Sequence, residues 1–366
     1  MPQILPSMES NDSDDMKDER TVHLVEREIH EQPNVLEQLL KNTRGAVEAA
    51  AARIRERAPS FLLIAARGSS DNAARYAQYL FGIRHGRVVA LASPSLATLY
   101  GASLDVRSAL VIGVSQSGQS PDILQVIESA KKHGALTLSI SNDVQSPLAF
   151  ASDLTLDIGA GVERAVAATK TYTAELFMFA MLSAALHADN SAWDALARVP
   201  EWIDAMLRWP EQTRACAEDM RKSEHWIILG RGYNYATACE LALKIQEMAG
   251  LVTERFSSAD FLHGPIAVVG PGFPVLLCAP TGKALAQFEA VHSQLKKRGA
   301  HCVILSDDDA FGQRADHWLT LPKGIPEWLS PIVAVVAGQR LALELSRLRG
   351  LNPDQPLGLS KVTRTL

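Results

Sequence analysis

Residues 110–132 read LVIGVSQSGQSPDILQVIESAKK. The first five are apolar and rich in β-branched side chains, a pattern that predicts a strand buried on both faces. A helix is expected to follow, with Ser120 at the N-cap, Pro121 at the first helical position and Asp122 in the first turn; Ile123, Val126, Ile127 and Ala130 then recur at helical spacing. Between strand and helix lies Ser115-Gln116-Ser117-Gly118-Gln119-Ser120, almost wholly small hydroxyl and amide donors. Such a loop at a helix N-terminus presents backbone N–H groups and the positive end of the helix dipole to one point, which suits a phosphate. An ordinary polar strand-to-helix turn fits the same residues. Neither the Gly-Lys-Ser/Thr of a P-loop nor Gly-x-Gly-x-x-Gly is present here.

Outward from this stretch, strands are expected at 61–66, 87–91, 136–140 and 154–158, with helical patterns between them and a helical arm over 21–57 interrupted at Pro33. Arg67-Gly68-Ser69-Ser70-Asp71-Asn72 is expected as a second donor-rich loop before an alanine-rich helix. Alternation at these lengths predicts an α/β fold with a parallel sheet covered on both faces. The pattern then repeats at an offset near 165 residues: Trp226 to Gly232 echoes Leu62 to Gly68, and 273–279 echoes the strand before the serine loop. Two tandem units follow, each a three-layer α/β/α sandwich, with expected bounds of 21–205 and 206–366 after a disordered tail at 1–20. The second copy has Pro280-Thr281-Gly282-Lys283-Ala284 in place of the serine loop and Tyr233-Asn234 in place of Ser69-Ser70. One phosphate pocket is expected from the pair, not two.

Composition narrows the function classes. The chain has 366 residues, 47% of them hydrophobic, and a net charge of -5, which argues against a nucleic-acid partner. Cys216, Cys239, Cys278 and Cys302 are widely spaced, a pattern of reduced thiols and not of a disulfide framework or zinc site. The most apolar helical stretch, 176–186, is too short for a bilayer, and no signal peptide is visible. A cytoplasmic protein with no membrane partner is expected.

The ordered set G-S-S, S-Q-S-G-x-S, A-T-K, G-R-G, H-G-P and D-Q-P-x-x-L-x-K resembles the tandem form of the sugar isomerase (SIS) domain family, over nearly all of 21–366. That form includes the isomerase half of glutamine:fructose-6-phosphate aminotransferase and stand-alone type II glucosamine-6-phosphate deaminases. The resemblance implies that Ser69, Ser70, Ser115, Gln116, Ser117 and Ser120 cradle the sugar phosphate and that Val166 borders the sugar. It implies that Glu247 moves a proton between the first two sugar carbons and that His263, supplied by the neighbouring subunit of a homodimer, opens the ring. Lys361 is implied to lie by the open-chain carbonyl.

Read without the resemblance, Glu247 on a helix with Leu241, Leu243, Ile245 and Met248 is a solvated-face glutamate, His263 before Gly-Pro a turn histidine, and Lys361 a tail charge. Chemistry gives the functional reading a reason, since one carboxylate held over two carbons suits the proton transfer and a histidine titrates near neutral pH, while a turn histidine equally fits a surface or hydrogen-bonding residue. Lys361 requires the tail from 357 to fold over the pocket. Lys170 is read as a structural cation. No His, Cys and carboxylate cluster stands at ligand spacing, so no metal or other cofactor is expected.

The sequence opens Met1-Pro2-Gln3, where the aminotransferases carry a catalytic cysteine after the initiator Met, so ammonia from glutamine by that route is not expected. Leu357 and Ala168 stand where the synthases commonly carry arginine and serine. The leading expectation is deamination of glucosamine 6-phosphate to fructose 6-phosphate and ammonia. Alternatives are another amino-sugar phosphate isomerase, a fructosamine-phosphate deglycase, or a non-enzymatic sugar-phosphate sensor.

Overall fold

The structure, a computed structural model, describes residues 22–188 and 190–361; the expected tail at 1–20 lies outside them. The first unit runs α1 (Leu24–Arg57), β1 (Phe61–Ala65), α2 (Gly68–His85), β2 (Val88–Leu91), α3 (Ser95–Thr98), β3 (Ala109–Val114), α4 (Pro121–Lys132), β4 (Leu136–Ser141), α5 (Pro147–Ala151), β5 (Leu154–Asp157) and α6 (Lys170–His187). Three helices lead into the second: α7 (Asn190–Ala197), α8 (Val199–Leu207) and α9 (Pro210–Met220). It continues β6 (His225–Gly230), α10 (Asn234–Ala249), β7 (Val252–Ser257), α11 (Ser258–Leu262), β8 (Pro274–Cys278), α12 (Leu285–Lys297), β9 (His301–Ser306), α13 (Asp309–Gly312), β10 (His317–Thr320) and α14 (Ser330–Leu348).

Each unit holds a five-stranded, all-parallel sheet, in the orders β2-β1-β3-β4-β5 and β10-β9-β8-β6-β7. Read in equivalent strands the two orders are identical, which is the duplication expected from the repeat. In both, the order reverses between the first and third strands, so the loops after β1 and β3 diverge and leave a crevice at the carboxyl edge of the sheet. The serine loop is one wall of that crevice.

The strands of β3 and β4 are buried along their whole length, as apolar runs covered on both faces must be. Between the two sheets the largest apolar cluster is continuous, joining α1, α2 and α6 of the first unit to α10 and α14 of the second; two smaller clusters fill the outer faces. Helices α6 and α14 are buried on nearly every side, which explains why they are apolar all round and show no amphipathic stripe. Among the described residues one helix, Glu327–Leu348, is long and apolar enough to cross a membrane, and 94% of its most apolar window lies inside the protein. It is a core helix, longer than the 176–186 stretch that stands out in sequence. The four cysteines are buried free thiols.

Two local expectations are corrected. Helix α1 does not break at Pro33, although the residue lacks the N–H that would bond the Ile29 carbonyl. The Gln32 side chain takes over, its Nε2 donating to Ile29 O at 2.9 Å and also to Gln339 Oε1 of α14 at 2.9 Å. Arg67 to Asn72 is not a loop either: α2 begins at Gly68, so Ser69 and Ser70 sit in the first helical turn.

The far end of the chain caps the near one. Asp354 accepts hydrogen bonds from the backbone N–H groups of Leu24 and Val25, at 3.0 and 2.8 Å, at the start of α1. Its own carbonyl accepts from Val166 N at 3.1 Å. Asp354→Ala should therefore cost about 1 kcal/mol, as loss of a side-chain cap does, read from the denaturant midpoint; an unchanged midpoint would show that the tail is not anchored through this cap.

Candidate active site

The crevice between β1 and β3 holds a cavity of about 370 Å³ lined by Arg67, Gly68, Ser69, Ser70, Ser115, Gln116, Ser117, Ser120, Val166, Ala168, Lys244, Glu247, Leu359, Ser360 and Lys361. All the candidate residues except His263 line it, drawn from both units and from the tail. Residues 362–366 of the expected tail lie outside the described residues.

The serine loop is held from below. Gly118 has φ +60°, and a Cβ there would stand 2.1 Å from Ser146 Oγ, so the turn closes only with glycine. Gly118 O accepts from Leu148 N at 3.2 Å, and Ser146 caps α5 through Ala149 N at 3.3 Å. Ser115 Oγ stands 3.3 Å from Ser120 Oγ, and Ser120, at the N-cap of α4, makes no side-chain cap bond. These hydroxyls and the helix N-terminus face the cavity, a suitable seat for an anion. The loop itself has no cation. Folding brings one from the N-cap of α2: Arg67 Nε donates to the buried Asp122 of α4 at 2.7 Å.

Ser69 and Ser70 are placed differently from the other hydroxyls. Ser69 Oγ donates to Glu240 at 2.8 Å and Ser70 Oγ to Glu175 at 2.8 Å. Both line the cavity, yet their hydroxyls bind the buried carboxylates beneath it. Asn72 Nδ2 adds a second bond to Glu240 at 2.8 Å.

Glu247 lines the cavity with its side chain 23% exposed, and Lys244, one turn earlier on α10, is buried and hydrogen-bonded to it. Lys244 Nζ also stands 3.5 Å from Glu240. Burial opposes the Lys244 charge, but Glu240 and Glu247 outweigh it and hold the ammonium above its ordinary pKa. Lys244 and Glu240 were not singled out from the sequence. The spacing Glu240, Lys244, Glu247 at i, i+4 and i+7 was the available signal, since it places all three on one helix face.

Lys361 reaches the cavity wall with Nζ 2.7 Å from the buried Glu163. Glu163 also accepts from Thr169 N at 2.9 Å, Thr171 N at 3.1 Å and Thr171 Oγ1 at 2.7 Å, at the N-terminus of α6. Burial would raise its pKa, but Lys361 and these donors bring it below the usual carboxylate value. Lys170, by contrast, is buried against α1, paired with Glu31 at 2.6 Å. It does not line the cavity, in keeping with a structural cation.

His263 follows α11, exposed, its N–H bonded to Asp260 O at 3.0 Å. It does not line the cavity of its own chain. Ala168 lies in the wall, whereas Leu357 is fully exposed and outside it.

Glu175 and Glu240 are buried carboxyls. Burial, only partly offset by Ser70, pushes Glu175 up to about 8; burial, opposed by Lys244, Asn72 and Ser69, pushes Glu240 up to about 7. A carboxyl with a raised folded-state pKa binds more protons folded than unfolded, so stability should fall as pH rises from about 4.5 to about 8. Each such group can contribute a slope of up to about 1.4 kcal/mol per pH unit. Glu175→Gln should flatten the decline of Tm over that interval; the same slope in variant and wild type would contradict it.

The equivalent crevice of the second unit also holds a cavity, about 740 Å³, without the serine loop of the first. Its walls include Arg231, Tyr233, Lys283 and Trp328, and Glu327 Oε1 accepts from Lys283 N at 3.1 Å. A carboxylate of the chain thus sits against the loop where the first unit presents its serines. The smaller cavity, with the serine loop, Glu247 and two lysines, has the groups for sugar-phosphate chemistry.

The SIS domain model matches residues 59–185 and 219–346. Glutamine–fructose-6-phosphate aminotransferase (isomerizing) of Pyrococcus horikoshii is 35% identical over 347 residues, covering 93% of this chain and 57% of that protein. The Escherichia coli K12 enzyme of the same name is 31% identical over 362 residues, covering 93% and 58%. The chain thus spans a little over half the length of these curated relatives. Among solved structures, one from Silicibacter pomeroyi, provisionally described as a phosphosugar isomerase, aligns with TM-score 0.82 and 35% identity over 91% of this chain and 100% of that one. Glucosamine-6-phosphate deaminase of Thermotoga maritima shares the fold, with TM-score 0.75 and 24% identity over 93% of this chain and 100% of that one.

Proposed function

The chain belongs to the SIS domain family, with two such domains in tandem, and on that premise we propose that it is an aldose–ketose isomerase of amino-sugar phosphates, working as a glucosamine-6-phosphate deaminase. The observation that supports this most is the meeting of the serine loop, Glu247 and Lys361 around one cavity. A phosphate held at the serine loop and the α4 N-terminus anchors the substrate far from the reacting carbons, so that binding energy fixes their geometry.

The partner subunit's His263 opens the ring by protonating the ring oxygen. Glu247 then takes the proton from the second carbon and returns it to the first, while the first-carbon oxygen gains a proton and the amino nitrogen gives one up, so that the aldehyde becomes a hydroxymethyl group and the second carbon an imine. Water adds to that imine and ammonia leaves, giving fructose 6-phosphate. Lys361 stands at the cavity wall to balance charge on the first-carbon oxygen while the proton is in transit. Lys244, ion-paired to both Glu240 and Glu247, holds the Glu247 carboxylate in place.

The test is release of ammonia and fructose 6-phosphate from glucosamine 6-phosphate with glutamine absent. Equal release of the two is expected. Isomerisation without ammonia would replace deamination by simple aldose–ketose exchange, and tight binding with no turnover would favour a sensor.

A further inference from the structure

A second cluster of reactive side chains lies away from the cavity, at the amino-terminal edge of the second sheet. His301 and His317 open the adjacent parallel strands β9 and β10. His317 pairs in register with Val303, and His301 is two residues before Val303, so both imidazoles fall on one face of the sheet. Asp219 comes from α9. That helix is fixed to β10 by Gln212, whose Oε1 accepts from Thr320 N at 2.8 Å and whose Nε2 donates to Thr320 Oγ1 at 3.0 Å. Two helical turns on, at i+7, Asp219 shares the Gln212 face. The carboxylate is therefore delivered to the histidines by a helix already pinned to their sheet.

Asp219 Oδ2 is hydrogen-bonded to His317 Nε2 at 2.9 Å and stands 3.6 Å from His301 Nε2, and the three atoms lie within 4.8 Å of one another. Tetrahedral zinc with bonds of about 2.0–2.1 Å sets its ligand atoms about 3.3 Å apart, and the two distances to Asp219 bracket that value. His301 Nε2 is also buried without a hydrogen-bond partner, a state that asks for a missing ligand. The neighbouring carboxylate is already engaged, since Asp316 accepts from Cys302 N at 2.7 Å and from Lys296 Nζ at 2.9 Å. Three ligands and one open position remain.

We propose that Asp219, His301 and His317 form a binding site for a divalent late transition ion such as Zn²⁺, with water as fourth ligand, cross-linking α9 to β9 and β10. Imidazole and carboxylate together suit zinc, not the harder magnesium or calcium ions. The three residues are 82 and 16 positions apart in sequence, so no motif announces the site. The site is independent of the proposed reaction.

The test uses the full chain freed of metal by a chelator and titrated with Zn²⁺ against a chromophoric indicator, then with Co²⁺ for its visible spectrum. One equivalent of tightly bound Zn²⁺ and a tetrahedral Co²⁺ band are expected. Outer contacts to metal ligands are worth 10–100-fold in affinity, so loss of a ligand in His301→Gln or Asp219→Asn should weaken binding by on the order of 100-fold or more. Asp219 is 54% exposed on its helix, so Asp219→Asn keeps the fold and serves as the decisive variant, with circular dichroism as its check. No tight equivalent in the wild type, or one that survives Asp219→Asn, overturns the proposal.

Discussion

Glu247→Gln should lower kcat for glucosamine 6-phosphate by roughly 10³-fold, within the 10²–10⁴ that a positioned general base contributes, and leave KM within a few-fold. Glu247 is the only carboxylate among the described residues that line the cavity. Glutamine keeps its shape and can still accept from Lys244, so what is removed is basicity. The serine loop and Arg67 are untouched, which is why substrate binding should persist. Steady-state kinetics beside direct binding of the substrate separate the two effects. A variant with near-normal kcat would mean that another group moves the proton; a variant that folds but no longer binds would make Glu247 a binding residue.

Mixing two inactive proteins should restore activity. His263 is exposed and does not line its own chain's cavity, so in the proposed mechanism a second copy supplies it. His263→Asn alone should cost turnover severely, and Glu247→Gln alone likewise. In a mixed dimer one site inherits both defects and the other inherits neither. Equal mixing after subunit exchange makes half the dimers mixed, so roughly a quarter of wild-type activity should return. No recovery in a mixture proven to contain hybrid dimers would place both groups in one chain's site, or remove His263 from the reaction. Full activity in His263→Asn alone would do the latter directly.

Much of the fold is legible from local pattern. The buried strands, the Ser120-Pro121-Asp122 helix start and the spacing of Ile123, Val126, Ile127 and Ala130 each report a period or a cap that depends on neighbours within a few residues. The repeat is equally plain, because equivalent strands begin 163 to 165 residues apart, Phe61 and His225 at one end, Leu154 and His317 at the other. Where local rules failed, a distant contact had intervened: Pro33 stays helical through Gln32, a side chain that also bonds Gln339.

The sequence by itself determined two parallel α/β units, the serine loop at a helix N-terminus, and its replacement in the second copy, since period, capping and composition are written in adjacent residues. Only the tertiary structure decided which side chains meet. The strand order puts the loops after β1 and β3 side by side, and shared burial brings α10 of the second unit under the first unit's loops. Ser69 and Ser70 thereby turn to Glu240 and Glu175, Lys361 finds Glu163, and Asp219 meets two histidines. Such encounters span from 82 to 198 residues of chain, and packing of whole helices and sheets, not any local spacing, selects them.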